Sequence, residues 1–167
     1  MVALIAIGLF LRSSPESKVT MTLAGYSVDA PGKLASDVNS SQVANKGVLH
    51  RKTNSEFAIS TKQVAMQGQT FELDDLIKIM RQQGTVLGGA NPISRAGMNG
   101  YHITIQQPNG LSSESEMYKL NEQKILLLAY VSGNKKFDSG LSKSALDAAK
   151  TKSLDDPEGF FNSLREN

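Results

Sequence analysis

Residues 124–131, Lys-Ile-Leu-Leu-Leu-Ala-Tyr-Val, constrain this chain more than any others. They form the most apolar stretch outside the N-terminus and stop at Ser132-Gly133-Asn134, so they read as a central strand. Side chains alternate between the two faces of a strand. Ile125, Leu127, Ala129 and Val131 share one face, and Leu126, Leu128 and Tyr130 share the other. Both faces are apolar, so both sides of the sheet must be covered.

Two strands precede this one. Residues 101–107 run to Pro108-Asn109-Gly110, and a second strand spans about 115–120. Together with 124–131 they make an antiparallel meander. In the first, Tyr101, Ile103 and Ile105 oppose His102, Thr104 and Gln106, the pattern of a half-buried strand.

Helices are available as cover. Residues 70–83 carry the stripe Leu73, Leu76, Ile77 and Met80, with Glu72, Asp74 and Asp75 at the start and Lys78 and Arg81 near the end. Thr70 is the expected cap. Residues 141–152 place Leu141, Ala145, Leu146 and Ala149 on a face. Asp155-Asp156-Pro157-Glu158 starts a last helix, with Phe160, Phe161 and Leu164 as its apolar stripe.

Upstream, residues 19–23 alternate as a strand, and 25–32 form a short strand ended by Pro31-Gly32. Residues 33–46 are polar and read as a loop; Asn39-Ser40-Ser41 within it matches a glycosylation sequon, a pattern common by chance. Strands at 48–51 and 57–65 flank a polar turn. Phe57, Ile59 and Thr61 lie on one face, and small Ala58 and Ser60 on the other suggest close packing there. Residues 84–100 are glycine-rich and read as a flexible connection carrying Arg95.

The chain of 167 residues suits one domain, with a formal net charge of +2 that offers no electrostatic case for nucleic acid. The densest basic cluster, Lys46, His50, Arg51 and Lys52, reads as solvated. There is no cysteine, which excludes thiolate chemistry, disulfides and Cys-ligated metals. The glycine-rich stretch lacks the lysine and hydroxyl of a phosphate loop and the Gly-x-Gly-x-x-Gly spacing of a dinucleotide site. The two histidines, His50 and His102, serve no nucleophile motif and meet only if their strands are neighbours. The pairs Asp74/Asp75 and Asp155/Asp156 sit at helix starts, where a structural role suffices. No cofactor, no metal and no enzyme activity are expected. A ligand or partner site, if readable, lies at Arg95, Asn99, Tyr101 and His102.

Residues 1–11 are apolar throughout, too few for the roughly 20 residues of a membrane span. They lack a basic n-region and are followed by Arg12. They are expected to be a partial anchor or an export signal, with a buried N-terminal element as the alternative. Residues 12–18, with Pro15, read as a linker, and a single domain spans 19–167.

The order of elements resembles the PsbP-like superfamily: the short strand 25–32 ending at Pro31-Gly32, a strand pair, the helix with Leu73, a glycine-rich bridge, the meander, and a closing helix with Phe160-Phe161-Asn162-Ser163-Leu164. The resemblance implies an α+β domain in which an antiparallel sheet of about six strands is sandwiched between helices, α/β/α. It implies binding and assembly rather than catalysis, and no site residue is carried over. The expected function is a non-catalytic, membrane-tethered domain outside the cytoplasm, in a bacterial envelope or periplasm, that contacts a protein partner. A small-ligand or lipid-binding protein, an unrecognised hydrolase, and an immunity or inhibitor protein are the alternatives. The sequence leaves the oligomeric state open.

Overall fold

A computed structural model describes residues 17–51, 53–83, 86–106, 112–132 and 157–167. In chain order these form β1 (Lys18–Leu23), β2 (Tyr26–Pro31), β3 (Lys33–Asn39), β4 (Val43–His50), β5 (Ser55–Gln63), α1 (Leu73–Gln82), β6 (Val86–Arg95), β7 (Met98–Gln106), β8 (Ser112–Lys119), β9 (Lys124–Val131), α2 (Pro157–Asn162) and β10 (Arg165–Glu166).

The apolar run is β9, and it is the middle strand of a seven-stranded sheet ordered β3-β4-β5-β9-β8-β7-β6. A three-stranded sheet, β1-β2-β10, accompanies it. All pairings are antiparallel. The architecture is therefore α+β and dominated by antiparallel sheet.

Both faces of β9 are covered, as its sequence demands, but by unlike layers. On one face Leu126, Leu128 and Tyr130 join Phe57, Ile59 and Val48 of the large sheet. Met21, Val28 and Ala30 from β1 and β2, and Phe160, Phe161 and Leu164 at the C-terminus, close this core. Phe160 stacks edge-on against Phe57 with centroids 5.1 Å apart. On the other face Ile103, Met117 and Ile125 meet Ile77 of α1, flanked by Leu73, Leu76 and Met80. The expected helix–sheet–helix sandwich is thus corrected. One helix covers one face, and a small sheet with the short α2 covers the other. The small sheet supplies apolar cover because β2 buries Val28 and Ala30, and because the chain's last residues pair with it.

Three local expectations also change. Residues 33–46 are not a loop but β3 and the start of β4, joined at Ser40, whose N–H donates to Val43 O at 2.9 Å. β3 lies at the sheet edge and nearly all its residues are exposed, so burial imposes no apolar alternation on it. Of the expected flexible connection at 84–100, residues 86–100 are instead β6 and the start of β7, which form a hairpin. Its turn is Ala96-Gly97, with φ of 47° and 75°, the left-handed pair that a tight hairpin turn requires. Glu72, not Thr70, precedes the first turn of α1, and it makes no side-chain cap hydrogen bond. β1, β2, β5 and β9 stand where expected, β7 and β8 start three residues earlier, and β10 was not expected. The expected helix at 141–152, the Asp155-Asp156 cap and residues 1–16 lie outside the described residues. Among the described residues no helix is long and apolar enough to cross a membrane.

Candidate functional site

Arg95 is the last residue of β6, directly before the Ala96-Gly97 turn, and its side chain lies on the face covered by α2. Its Nε is 3.1 and 3.0 Å from the two carboxylate oxygens of Glu116 on β8, and its Nη2 donates to Oε1 at 3.0 Å. Glu116 is fully buried. His102, opposite Glu116 in the β7–β8 register, brings Nδ1 to 3.3 Å from Oε1. The Tyr118 hydroxyl donates to Oε2 at 2.5 Å. One buried carboxylate thus gathers a guanidinium, an imidazole and a phenol.

The backbone makes room for this. Gly100 pairs with Tyr118 across β7 and β8. A Cβ at Gly100 would lie 2.6 Å from Tyr118 Cδ1 and 2.3 Å from Met117 O. Only glycine lets the Tyr118 ring lie against β7 and turn its hydroxyl toward Glu116. Burial, and then the hydrogen bond to Glu116, push the Tyr118 pKa far up, so the phenol remains a donor. Burial acts to lower the Arg95 pKa, but the hydrogen bond and charge of Glu116 outweigh it and raise it.

This network also ties down the C-terminus. Arg95 Nη1 donates to Asn162 Oδ1 at the end of α2. Phe161 meets the His102 ring edge-on at 5.3 Å. Beyond α2, Arg165 forms two hydrogen bonds of 3.2 Å with the Asp29 carboxylate, and Ser163 Oγ accepts from Asp29 N at 2.8 Å. The last eleven residues therefore hold the large sheet through Asn162 and the small sheet through Arg165.

Of the four residues singled out in the sequence, the fold brings Arg95 and His102 together and separates the others from them. Asn99 is exposed at the start of β7, opposite Ser94. Tyr101 faces α1, where its hydroxyl donates to Asp74. It lines a hollow of about 330 Å³ with Ile77, Arg81 and Pro92. Sequence reasoning missed Glu116, the hub. A lone glutamate in a strand carries no local mark of burial, and Arg95 is 21 residues distant. His50 and His102 do not meet, since β4 and β7 are four places apart in the sheet. His50 Nδ1 instead lies 2.9 Å from Thr53 Oγ1. Among the described residues no group of His, Cys, Asp or Glu is placed to hold a metal.

The guanidinium is engaged by Glu116 and Asn162, and the phenol by Glu116. The carboxylate has no open oxygen to present to a substrate.

A second feature is chemically unsaturated. β3 is the outer strand of the large sheet, and the described residues leave its outer side unpaired. Leu34 is 54% and Val38 52% exposed. The opposite edge is different. β6 loses register between Leu87 and Asn91, and Ala90 packs into the cluster around α1. Cover and a register break protect the β6 edge; β3 has a register break between Leu34 and Ser36, and from Ser36 to Asn39 the described residues leave it open. Beside the β3–β4 turn lies a groove of about 510 Å³ that includes Val43, Lys62, Val64 and Met66.

Compared with known proteins, the chain matches no family model and no curated sequence.

Proposed function

We propose that the chain is a non-catalytic binding and assembly domain that works through protein–protein contacts, with β3 as its contact strand. The observation that carries this is the edge of β3 that the described residues leave unpaired, with Leu34 and Val38 exposed. A strand edge of that kind is a template for another strand, whose main chain supplies affinity and whose side chains supply specificity. The complete internal use of Arg95, Glu116 and Tyr118 supports the non-catalytic half of the reading.

The proposal extends to place and kinship. The apolar residues 1–11 and the polar residues 12–16 that lead into β1 support a membrane-tethered domain outside the cytoplasm, in a bacterial envelope. A PsbP-like relation is supported by the central antiparallel sheet, by α1 ahead of the glycine-rich hairpin, and by the closing Phe160-Phe161 helix. The small-ligand and hydrolase readings centred on Arg95 and His102 find less support, because those side chains serve Glu116. An immunity or inhibitor protein would use the same open edge.

The test is a photo-crosslinking residue at Val38 in the full chain, expressed in its native cells. A discrete adduct with one protein, lost when Asn39, within the unbroken part of β3, is changed to Pro in the same chain, is the expected result. No adduct overturns the contact reading. Recovery of the full-length protein, residues 1–11 intact, from the soluble cytoplasm overturns the tether.

A further inference from the structure

The open half of β3 has a register in which it pairs with itself. Ser40 N–H donates to Val43 O, so Ser40 and Val43 form a hydrogen-bonded pair across the turn. Hydrogen-bonded and non-hydrogen-bonded pairs alternate along an antiparallel ladder. From Ser36 to Asn39 the register is unbroken, with Asp37 opposite Lys46, Val38 opposite Asn45 and Asn39 opposite Ala44. Val38 therefore directs its N–H and C=O toward β4. Asp37 and Asn39 turn theirs outward, to the side that the described residues leave unpaired.

We propose that two copies of this chain join their large sheets edge to edge through β3, antiparallel, about a two-fold axis at Val38. This rests on the reading of β3 as a contact strand and names its partner as a second copy. The outward groups of Asp37 meet those of Asn39 in the partner, giving four main-chain hydrogen bonds by symmetry. Val38 faces its own copy in a non-hydrogen-bonded pair, where side chains approach most closely. Asp37 faces an asparagine. Moving the axis to Asp37 would place two carboxylates directly opposite each other, which is destabilising. The irregularity between Leu34 and Ser36 ends the usable edge on the other side. Pairing is thus confined by charge at one neighbouring register and by backbone shape at the strand start.

So short a strand pair buries much less than the roughly 1,200 Å² of a stable dimer. The association is accordingly dissociable and is read best by trapping. The chain has no cysteine, so a single Val38→Cys introduces the only thiol. Facing Cα atoms of a non-hydrogen-bonded pair lie about 4.5 Å apart, inside the window a disulfide needs. Under mild oxidation, V38C is expected to form a disulfide dimer about tenfold faster than M66C, as the raised effective concentration of a pre-paired site requires. Met66 is the more exposed residue, 73% against 52%, so random collision would favour the opposite order. Asp37→Cys and Asn39→Cys should cross-link more slowly than V38C. Thermal melts of each variant check that it is folded.

A V38C rate no higher than that of M66C overturns self-pairing. If Val38 photo-crosslinks to a different protein while V38C stays monomeric, self-pairing falls and the contact reading stands. If neither occurs, both fall.

Discussion

Arg95 and Glu116 form a bidentate contact of about 3.0 Å across a strand that separates them, because β7 lies between β6 and β8. Gly100 and His102 are among the β7 residues on that face, and the glycine leaves the space. The pair is the centre of a seal that reaches Tyr118, His102 and, through Asn162, the C-terminal helix.

Replacing Glu116 with Ala leaves a guanidinium and a phenol without their acceptor. A broken buried ion pair costs about 3–5 kcal/mol, and Arg95 retains some solvent access, so about 3 kcal/mol is expected. Urea denaturation measures it. The double variant Arg95→Met with Glu116→Leu should lose clearly less than the sum of the single losses, because it removes both charges together. Additive losses would show that the two residues are not coupled.

Gly100→Ala tests the space rather than the charge. The added methyl meets Met117 O and the Tyr118 ring at distances no real side chain tolerates. Either β8 shifts or the ring leaves, at a cost of about 1–3 kcal/mol. The near-ultraviolet circular dichroism of tyrosine should change as well. An unchanged spectrum with unchanged stability would contradict the described placement of Tyr118.

Acid should loosen the C-terminal clasp. Burial raises the Asp29 pKa, but hydrogen bonds from Thr20, Arg165 and Lys18 outweigh it and bring the carboxyl from 3.8 down to about 2. A depressed folded pKa contributes stability above the unfolded value and loses it as pH falls through the folded one. The window is therefore roughly pH 4 to pH 2. The contribution is about 1 kcal/mol after discounting for solvent screening. Asp29→Asn should flatten the stability profile in that window, as followed by urea midpoints at stepped pH. An unaltered acid slope would dissociate Asp29 from the clasp.

Phe160→Ala should cost about 3–5 kcal/mol, since the ring is buried against Phe57 and Phe161. Ile79→Ala, on the exposed side of α1, should stay within about 0.5 kcal/mol. Chemical denaturation of the pair compares a core position with a surface position on helices of the same chain. Equal losses would mean that α2 is not docked.

Much of the fold was legible because burial leaves a period in the sequence. β9, β5, β7 and α1 each carry an apolar set matched to one or two covered faces, and Pro157 marks the start of α2. β3 and β6 were not legible for the complementary reason. They are edge strands, and the glycine and polar residues at 33–46 and 84–100 satisfy no burial pattern. Of the candidate site, Arg95 and His102 were visible as unusual side chains in a polar context. Glu116 was not, since nothing local distinguishes a buried glutamate from a solvated one.

By itself, then, the sequence determined that a doubly apolar strand needs two covering layers, that no thiol chemistry exists here, and where α1 and α2 begin to bury their stripes. Only the tertiary structure decided that one of those layers is a second sheet, that β9 pairs with β5 as well as β8, and that Glu116 is the meeting point of Arg95, His102 and Tyr118. The physical reason is range. Periodicity records which way a side chain faces, while strand order, the choice of covering layer and the pairing of a buried charge are settled by residues far apart in the chain.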